Sequence, residues 1–180
     1  MLQIYYPFEY VDSVFSIDYH RLWQMGYRAI IFDIDNTLVH HGKDSTEEVD
    51  ELFRQIHNIG LKTLLLSNNS EARIQRFCKN IDTLYIHEAN KPDVAGYRKA
   101  LEMLEVEKHQ ALVIGDQVFT DIRGANRCDM QSVLVKYLRY PDEKKIGIRR
   151  NLEKIILKFY KHSCFQHRIG DICKEEVPHG

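Results

Sequence analysis

The chain has 180 residues, 44% of them hydrophobic, and a formal net charge of −1 at neutral pH. That is enough apolar material for one core and suggests a single domain over 1–180, while the near-balanced charge gives no reason to expect a nucleic-acid partner. Four cysteines, Cys78, Cys128, Cys164 and Cys173, form no C-x-x-C pair and read as reduced thiols of a cytoplasmic protein.

Met1 leads straight into "LQIYYPFEY", with no basic start and apolar run, so no secretory signal is expected. No stretch approaches the roughly 18 to 20 apolar residues that a spanning helix needs. Residues 1–27 hold eight of the nineteen aromatics and read as an aromatic-rich extension, suited to covering a sheet edge or meeting a membrane interface.

From residue 28 strand and helix signals alternate. "AIIFDID" (29–35) is a short continuous apolar run, the pattern of a strand covered on both faces. Ser45 and Glu48 are spaced as a capping box for a helix carrying Val49, Leu52, Phe53 and Ile56 and stopped by Gly60. "LKTLLLS" (61–67) is a second buried strand, and Ser70 can cap the helix after it. "TLYIHE" (83–88) is a weaker strand, and Pro92 and Asp93 open a helix with Val94, Tyr97, Leu101 and Leu104 on one stripe. "ALVIGD" (111–116) and "SVLV" (132–135) complete the set, with a short helix between them. The expectation is an α/β, three-layer Rossmann-like fold. Its mainly parallel five-stranded sheet has helices on both faces, with a catalytic core at 28–135 and a basic helical tail at 136–180.

In such sheets ligands bind beyond the carboxyl ends of the strands. Asp33 and Asp35 end the first strand, Ser67 the second and Asp116 the fourth, and Lys91 lies just after the third. Asp33, Asp35 and Asp116, with Asp121 close behind, would repel one another unless a cation neutralised them. An oxygen-only set without His or Cys points to Mg²⁺. Ser67, with the N–H groups of Asn68 and Asn69 at a helix entrance, can hold anionic oxygens, and Lys91 adds a mobile positive charge. Each residue also has a plainer reading, as a turn or cap aspartate, a strand-end hydroxyl or a solvated lysine. Their joint occurrence along one sheet edge favours phosphoryl transfer.

"DIDNT", "LLLSNN", "NKP" and "GDQVFTD", in that order, resemble the four motifs of the haloacid dehalogenase superfamily of phosphatases. The resemblance implies a nucleophile at Asp33 that forms an aspartyl-phosphate, and an acid and base at Asp35. It also implies Mg²⁺ held by Asp33, the Asp35 carbonyl and Asp116, with Asp121 in support. Ser67, Asn68 and Lys91 would bind phosphate, and Thr37 and Asn69 would brace the site. The 34 residues from Asp33 to Ser67 and the 24 from Ser67 to Lys91 are filled by predicted core elements, leaving no room for an inserted cap domain.

A narrower set, from "SIDYHRLWQMGYRAIIFDIDNTLV" to "SVLV", is similar to the YqeG-type branch of capless subclass III, akin to the phosphatidylglycerophosphate phosphatases. It implies a lipid headgroup phosphate as substrate. "KYLRYPDEKK" (136–145) departs from that pattern. A soluble phosphate ester or phosphoprotein substrate, and a non-catalytic binding factor that keeps the fold, remain as alternatives.

The tail from Lys136 carries 11 Lys/Arg against 6 Asp/Glu. Residues 147–162 place Ile148, Leu152, Ile155, Ile156 and Phe159 on one side of a helix, with Arg149, Arg150, Lys154, Lys158 and Lys161 supplying charge. Such a helix packs on the sheet with its charges in water, or lies on an anionic membrane at the cytoplasmic face. His162, Cys164, His167 and Cys173 fit no standard zinc spacing. His40 and His41 belong to a loop after the proposed nucleophile. Oligomeric state is not legible in this sequence.

Overall fold

The computed structural model describes residues 2–138 and 147–175. Its sheet has six parallel strands, β1 (Glu9–Val11), β2 (Ala29–Phe32), β3 (Lys62–Leu66), β4 (Leu84–Ile86), β5 (Ala111–Gly115) and β6 (Gln131–Val135), in the order β1-β6-β5-β2-β3-β4. Five of these match the predicted strands. The sixth, β1, is a correction: Glu9 to Val11 pair with Val133 to Val135 at the sheet edge. Three residues headed by a glutamate carry too little apolar pattern to announce a strand. Glu9 is nonetheless buried, because its carboxylate accepts the N–H groups of Ile169 and Gly170 at 3.1 and 3.2 Å.

Alternation along β2 shows why the central strands are apolar throughout. Ile30 and Phe32 pack on one face against Leu22, Phe53 and Ile56, while Ala29 and Ile31 pack on the other against Tyr97, Ala100 and Leu104. The first face is covered by helices α1 (Tyr19–Gln24), α2 (Glu47–Ile59) and α3 (Glu71–Phe77), the second by α4 (Val94–Leu104) and α5 (Arg123–Arg127). Gly60 ends α2 at φ 98°, a left-handed conformation that glycine adopts without strain. The cap at the other end differs from the expected Ser45/Glu48 box. Thr46 caps α2 by accepting the Val49 N–H, and Ser45 bonds Asp50 instead. Asp93 caps α4 as expected, whereas the Ser70 side chain makes no capping bond to α3.

The chain runs outward from β2 through β3 and β4, then returns to β5 on the other side of β2. This reversal opens a crevice between the carboxyl ends of β2 and β5. A third apolar cluster joins Tyr6, Val118, Ile122 and Leu134 to the last helix, α6 (Ile148–Tyr160). That helix is turned differently from expectation. Glu153, Ile156 and Tyr160 face the sheet, while Ile148, Leu152, Ile155 and Phe159 are 81, 47, 54 and 58% exposed. Residues 139–146, which include most of the stretch that departs from the YqeG-type pattern, lie outside the described residues. No helix among the described residues is long and apolar enough to cross a membrane.

Gly124 of α5 lies against fully buried Tyr97, whose hydroxyl donates toward the Thr120 and Asp121 carbonyls. A Cβ on Gly124 would sit 2.4 Å from that ring and hydroxyl. Gly124→Ala is therefore expected to lower stability by about 1–3 kcal/mol, the usual range for overpacking. Urea denaturation measures it, and an unchanged midpoint would contradict this packing.

Candidate active site

Strand register sets the site. Phe32 is level with Ile114 of β5 and with Leu65 of β3, so Asp33, Asp116 and Ser67 leave adjacent strands at the same edge. The Asp33 N–H donates to the Ile114 carbonyl at 2.9 Å, which carries the β2–β5 ladder to the first carboxylate. Oxygens of Asp33, Asp116 and Asp121 all lie within 4.8 Å of one another. Gly115 permits this crowding, because a Cβ there would lie 2.4 Å from the Asp121 Cγ.

Lys91 holds the cluster together. Its Nζ donates to Asp33 Oδ1 at 2.5 Å and to Asp121 Oδ1 at 2.7 Å. The side chain is only 4% exposed, so it is a clamped charge and not the mobile one anticipated from its loop position. Burial opposes its protonated form, but Asp121 and Asp33 outweigh burial and keep the ammonium above its ordinary range. Thr37 Oγ1 lies 3.3 Å from Asp33 Oδ2 and 3.2 Å from Asp116 Oδ1, within reach of either with its single proton. The Asn68 side chain accepts the Lys91 N–H at 2.7 Å and faces its carbonyl at 3.4 Å, which pins the lysine loop. Ser67, 1% exposed, accepts the Asn69 N–H at 3.2 Å.

Asp35 stands apart from this cluster. The Gly42 N–H donates to Asp35 Oδ1 at 2.9 Å and the Asn69 amide to Oδ2 at 2.6 Å. Arg73 Nη2 lies 3.1 Å from Oδ1 and exposed His41 lies 3.5 Å from Oδ2. Burial would raise its pKa, but the Gly42 and Asn69 hydrogen bonds and the Arg73 and His41 charges prevail, holding the carboxyl below the ordinary carboxylate range. Arg73 was missed in the sequence because a helical arginine in "EARIQRF" looks like any solvated charge.

A second residue missed in this role is Arg150. Its Nη1 donates to the Asp116 carbonyl at 2.6 Å, and its Nη2 pairs with Asp116 Oδ2. Glu153 accepts from the same guanidinium at 2.9 Å. Arg73 thus offsets Asp35, and Glu153 offsets Arg150. Asp33, Asp116 and Asp121 remain against Lys91; with all three ionised they carry a surplus of two negative charges that one divalent cation would neutralise. Hard oxygen donors of this kind suit Mg²⁺. Among the described residues this is the only group of three or more metal-ligating side chains that converges; His162, Cys164, His167 and Cys173 do not.

A family model described as haloacid dehalogenase-like hydrolase matches residues 41–129. The Bacillus subtilis (strain 168) protein named probable phosphatase YqeG is 31% identical over 160 residues, covering 88% of this chain and 93% of that one. The chain belongs to the haloacid dehalogenase-like hydrolases. Within that family it is a phosphatase. It is also 27% identical over 145 residues to pyrophosphatase PpaX of Bacillus cereus (strain B4264), covering 69% of this chain and 67% of the relative. A solved structure from Bacteroides fragilis, assigned to the haloacid dehalogenase-like hydrolases, shares the fold. Its TM-score is 0.50 at 16% identity, over 65% of this chain and 91% of that one. The matched family segment begins after Asp33 and Asp35, so their placement rests on the sheet register described above.

Burial, with Asp121 and Asp35 nearby, lifts Asp33 to about 6 despite Lys91. Burial and Asp33 lift Asp116 to about 7 despite Arg150. Both start from 3.8, so in the cation-free protein each group favours the fold when protonated. That stabilisation is complete below about pH 4 and is lost as pH rises through 6 and 7. A bound cation takes the place of those protons, so its benefit should grow with pH. In thermal melts with Mg²⁺ or with chelator, the Mg²⁺-induced rise is expected to be larger near pH 8 than near pH 5. An equal rise at both would contradict this reading of the carboxylates.

Proposed function

We propose that this phosphatase is an Mg²⁺-dependent phosphomonoesterase that works through an aspartyl-phosphate at Asp33 and acts on the headgroup phosphate of phosphatidylglycerophosphate. The observation that carries the chemistry is the convergence of Asp33, Asp116 and Asp121 around one buried lysine. Asp33, the Asp35 carbonyl and Asp116 would hold the cation, with Asp121 supporting them. Mg²⁺ supplies charge neutralisation where the phosphoryl group enters and the transition state forms.

An oxygen of Asp33 attacks phosphorus, and the bond from phosphorus to the ester oxygen breaks. Asp35, ionised in the free protein, takes a proton from the entering monoanionic ester and gives it to that oxygen as it leaves. It then takes a proton from water as the water attacks the aspartyl-phosphate, which returns Asp33 and releases inorganic phosphate. Lys91, held between Asp33 and Asp121, and the Ser67 hydroxyl neutralise and orient the transferring oxygens, with the Asn68 side chain fixing the lysine loop. Arg73 and Asn69 anchor Asp35 beside the crevice.

Three observations favour a lipid phosphate over a soluble one. The predicted capless spacing between the motifs holds only core elements, so a bulky headgroup can reach Asp33. The chain is similar over most of its length to YqeG, the branch its motifs resemble. Finally, α6 turns Ile148, Leu152, Ile155 and Phe159 outward as one apolar row, with exposed Lys154, Lys158 and Lys161 beside it. A helix of this kind lies at the surface of an anionic bilayer, its apolar row at the acyl boundary and each lysine contributing about 1 kcal/mol. In this reading the enzyme works peripherally at the cytoplasmic face.

The test is hydrolysis of phosphatidylglycerophosphate in anionic vesicles, alongside sugar phosphates, nucleotides, phosphopeptides and an aryl phosphate, with vesicle flotation at low and high salt. The lipid is expected to be turned over at least tenfold faster than the soluble biological esters. Flotation is expected with anionic but not neutral vesicles, to weaken with salt, and to be lost when Lys154, Lys158 and Lys161 are changed to Gln. Faster turnover of a soluble ester would replace the lipid reading, and flotation unaffected by the substitutions would remove α6 from it.

A further inference from the structure

Arg150 sits on α6 among cations that the sequence assigns to an outward face, yet it points inward. Its guanidinium grips two oxygens of one residue, the main-chain carbonyl of Asp116 and Asp116 Oδ2. Glu153, one turn along the helix, accepts the guanidinium through Oε2 and the Val118 N–H through Oε1, both at 2.9 Å. The Tyr137 ring lies 4.6 Å from the guanidinium carbon. The side chains of Arg150, Glu153 and Asp116 are 18, 7 and 0% exposed. This is a built contact at the wall of the active site.

The two oxygens of Asp116 have different neighbours. Oδ2 is taken by Arg150, while Oδ1 lies 3.2 Å from Thr37 Oγ1, which in turn is 3.3 Å from Asp33 Oδ2. A planar fork that holds both the carbonyl and the carboxylate of one residue fixes the torsions between them, which a single point charge cannot do. With Oδ2 held, Oδ1 is left to Thr37, whose hydroxyl also reaches Asp33.

We infer that Arg150 is a positioning residue for the divalent-cation site, turning Asp116 Oδ1 toward Asp33, so that α6 completes the active site of this capless phosphatase. The inference rests on the Mg²⁺ reading of the carboxylates. A guanidinium near a cation site has two opposed effects, since orientation of the ligand tightens metal binding and like charge weakens it. Glu153 decides the sign: its buried carboxylate balances the guanidinium, so orientation prevails.

The measurement is calorimetric titration of Mg²⁺ into the chelator-stripped full chain, with the fold of each variant checked by circular dichroism. Arg150→Gln is expected to raise the Mg²⁺ dissociation constant about 10- to 100-fold, the range for loss of an outer partner of a metal ligand. Arg150→Lys should fall in between, because an ammonium reaches one Asp116 oxygen but lacks the fork. Glu153→Gln should also weaken binding, since it leaves the guanidinium charge unbalanced. Asn151→Ala, on the exposed side of the same helix, should bind as the parent does. Parent-like or tighter binding by Arg150→Gln would overturn the inference while leaving the cation site intact. If that variant fails to fold, parent-like binding by both Arg150→Lys and Glu153→Gln would overturn it. A parent chain that binds no Mg²⁺ would bring down the cation reading itself, and this inference with it.

Discussion

Carboxylate oxygens from Asp33, Asp116 and Asp121 lie within 4.8 Å of one another, and their mutual repulsion in a largely buried crevice is the constraint around which the rest of the structure is arranged. Lys91 is buried between two of them because a charge left unpaired there would be far costlier than the pair. Even so, once all three are ionised the lysine leaves two negative charges over. A site held short of neutrality is poised to take a divalent cation and, with it, a phosphate dianion. The sheet supports that imbalance from below: β2 and β5 are buried along their whole length, so the carboxylates cannot retreat into water without undoing the core.

Much of this was legible in the sequence. Asp33, Asp35, Ser67 and Asp116 each follow a continuous apolar strand, and in a parallel sheet strand ends share one edge, so their gathering needed only the count of elements. Lys91 and Asp121 followed from the motif order. What could not be read was which helix faces turn toward that edge. Arg73 and Arg150 each occupy a helical position that is equally consistent with solvation, and only the packing of α3 and α6 brings them to Asp35 and Asp116. The rotation of α6 was misjudged for a related reason. Its apolar row looked like the buried face, whereas Glu153 and Arg150 are drawn to the loop at 116–118 and turn most of that row outward. Likewise β1 escaped notice because its first residue is a glutamate whose burial depends on backbone donors about 160 positions away.

The same turn of α6 links the inner and outer surfaces of the molecule. One side of the helix touches a residue of the carboxylate cluster, and another presents apolar and basic rows to the surroundings. Here the last helix supplies a wall to the site through Arg150 and Glu153. Asp35, tied down by Gly42, Asn69 and Arg73, is held in its ionised form in the free protein, so the acid role proposed for it requires a proton brought in with the substrate.

The central claim is that Asp33 carries the phosphoryl group in turnover. Acid quenching during steady-state hydrolysis of an aryl phosphate, followed by borohydride reduction, converts an acyl phosphate into a homoserine that peptide mass spectrometry locates. The account predicts homoserine at position 33 with substrate and Mg²⁺ present, and none when substrate is left out or when Asp33→Asn is used. Steady turnover with no homoserine at position 33, or with homoserine at another aspartate, would contradict it.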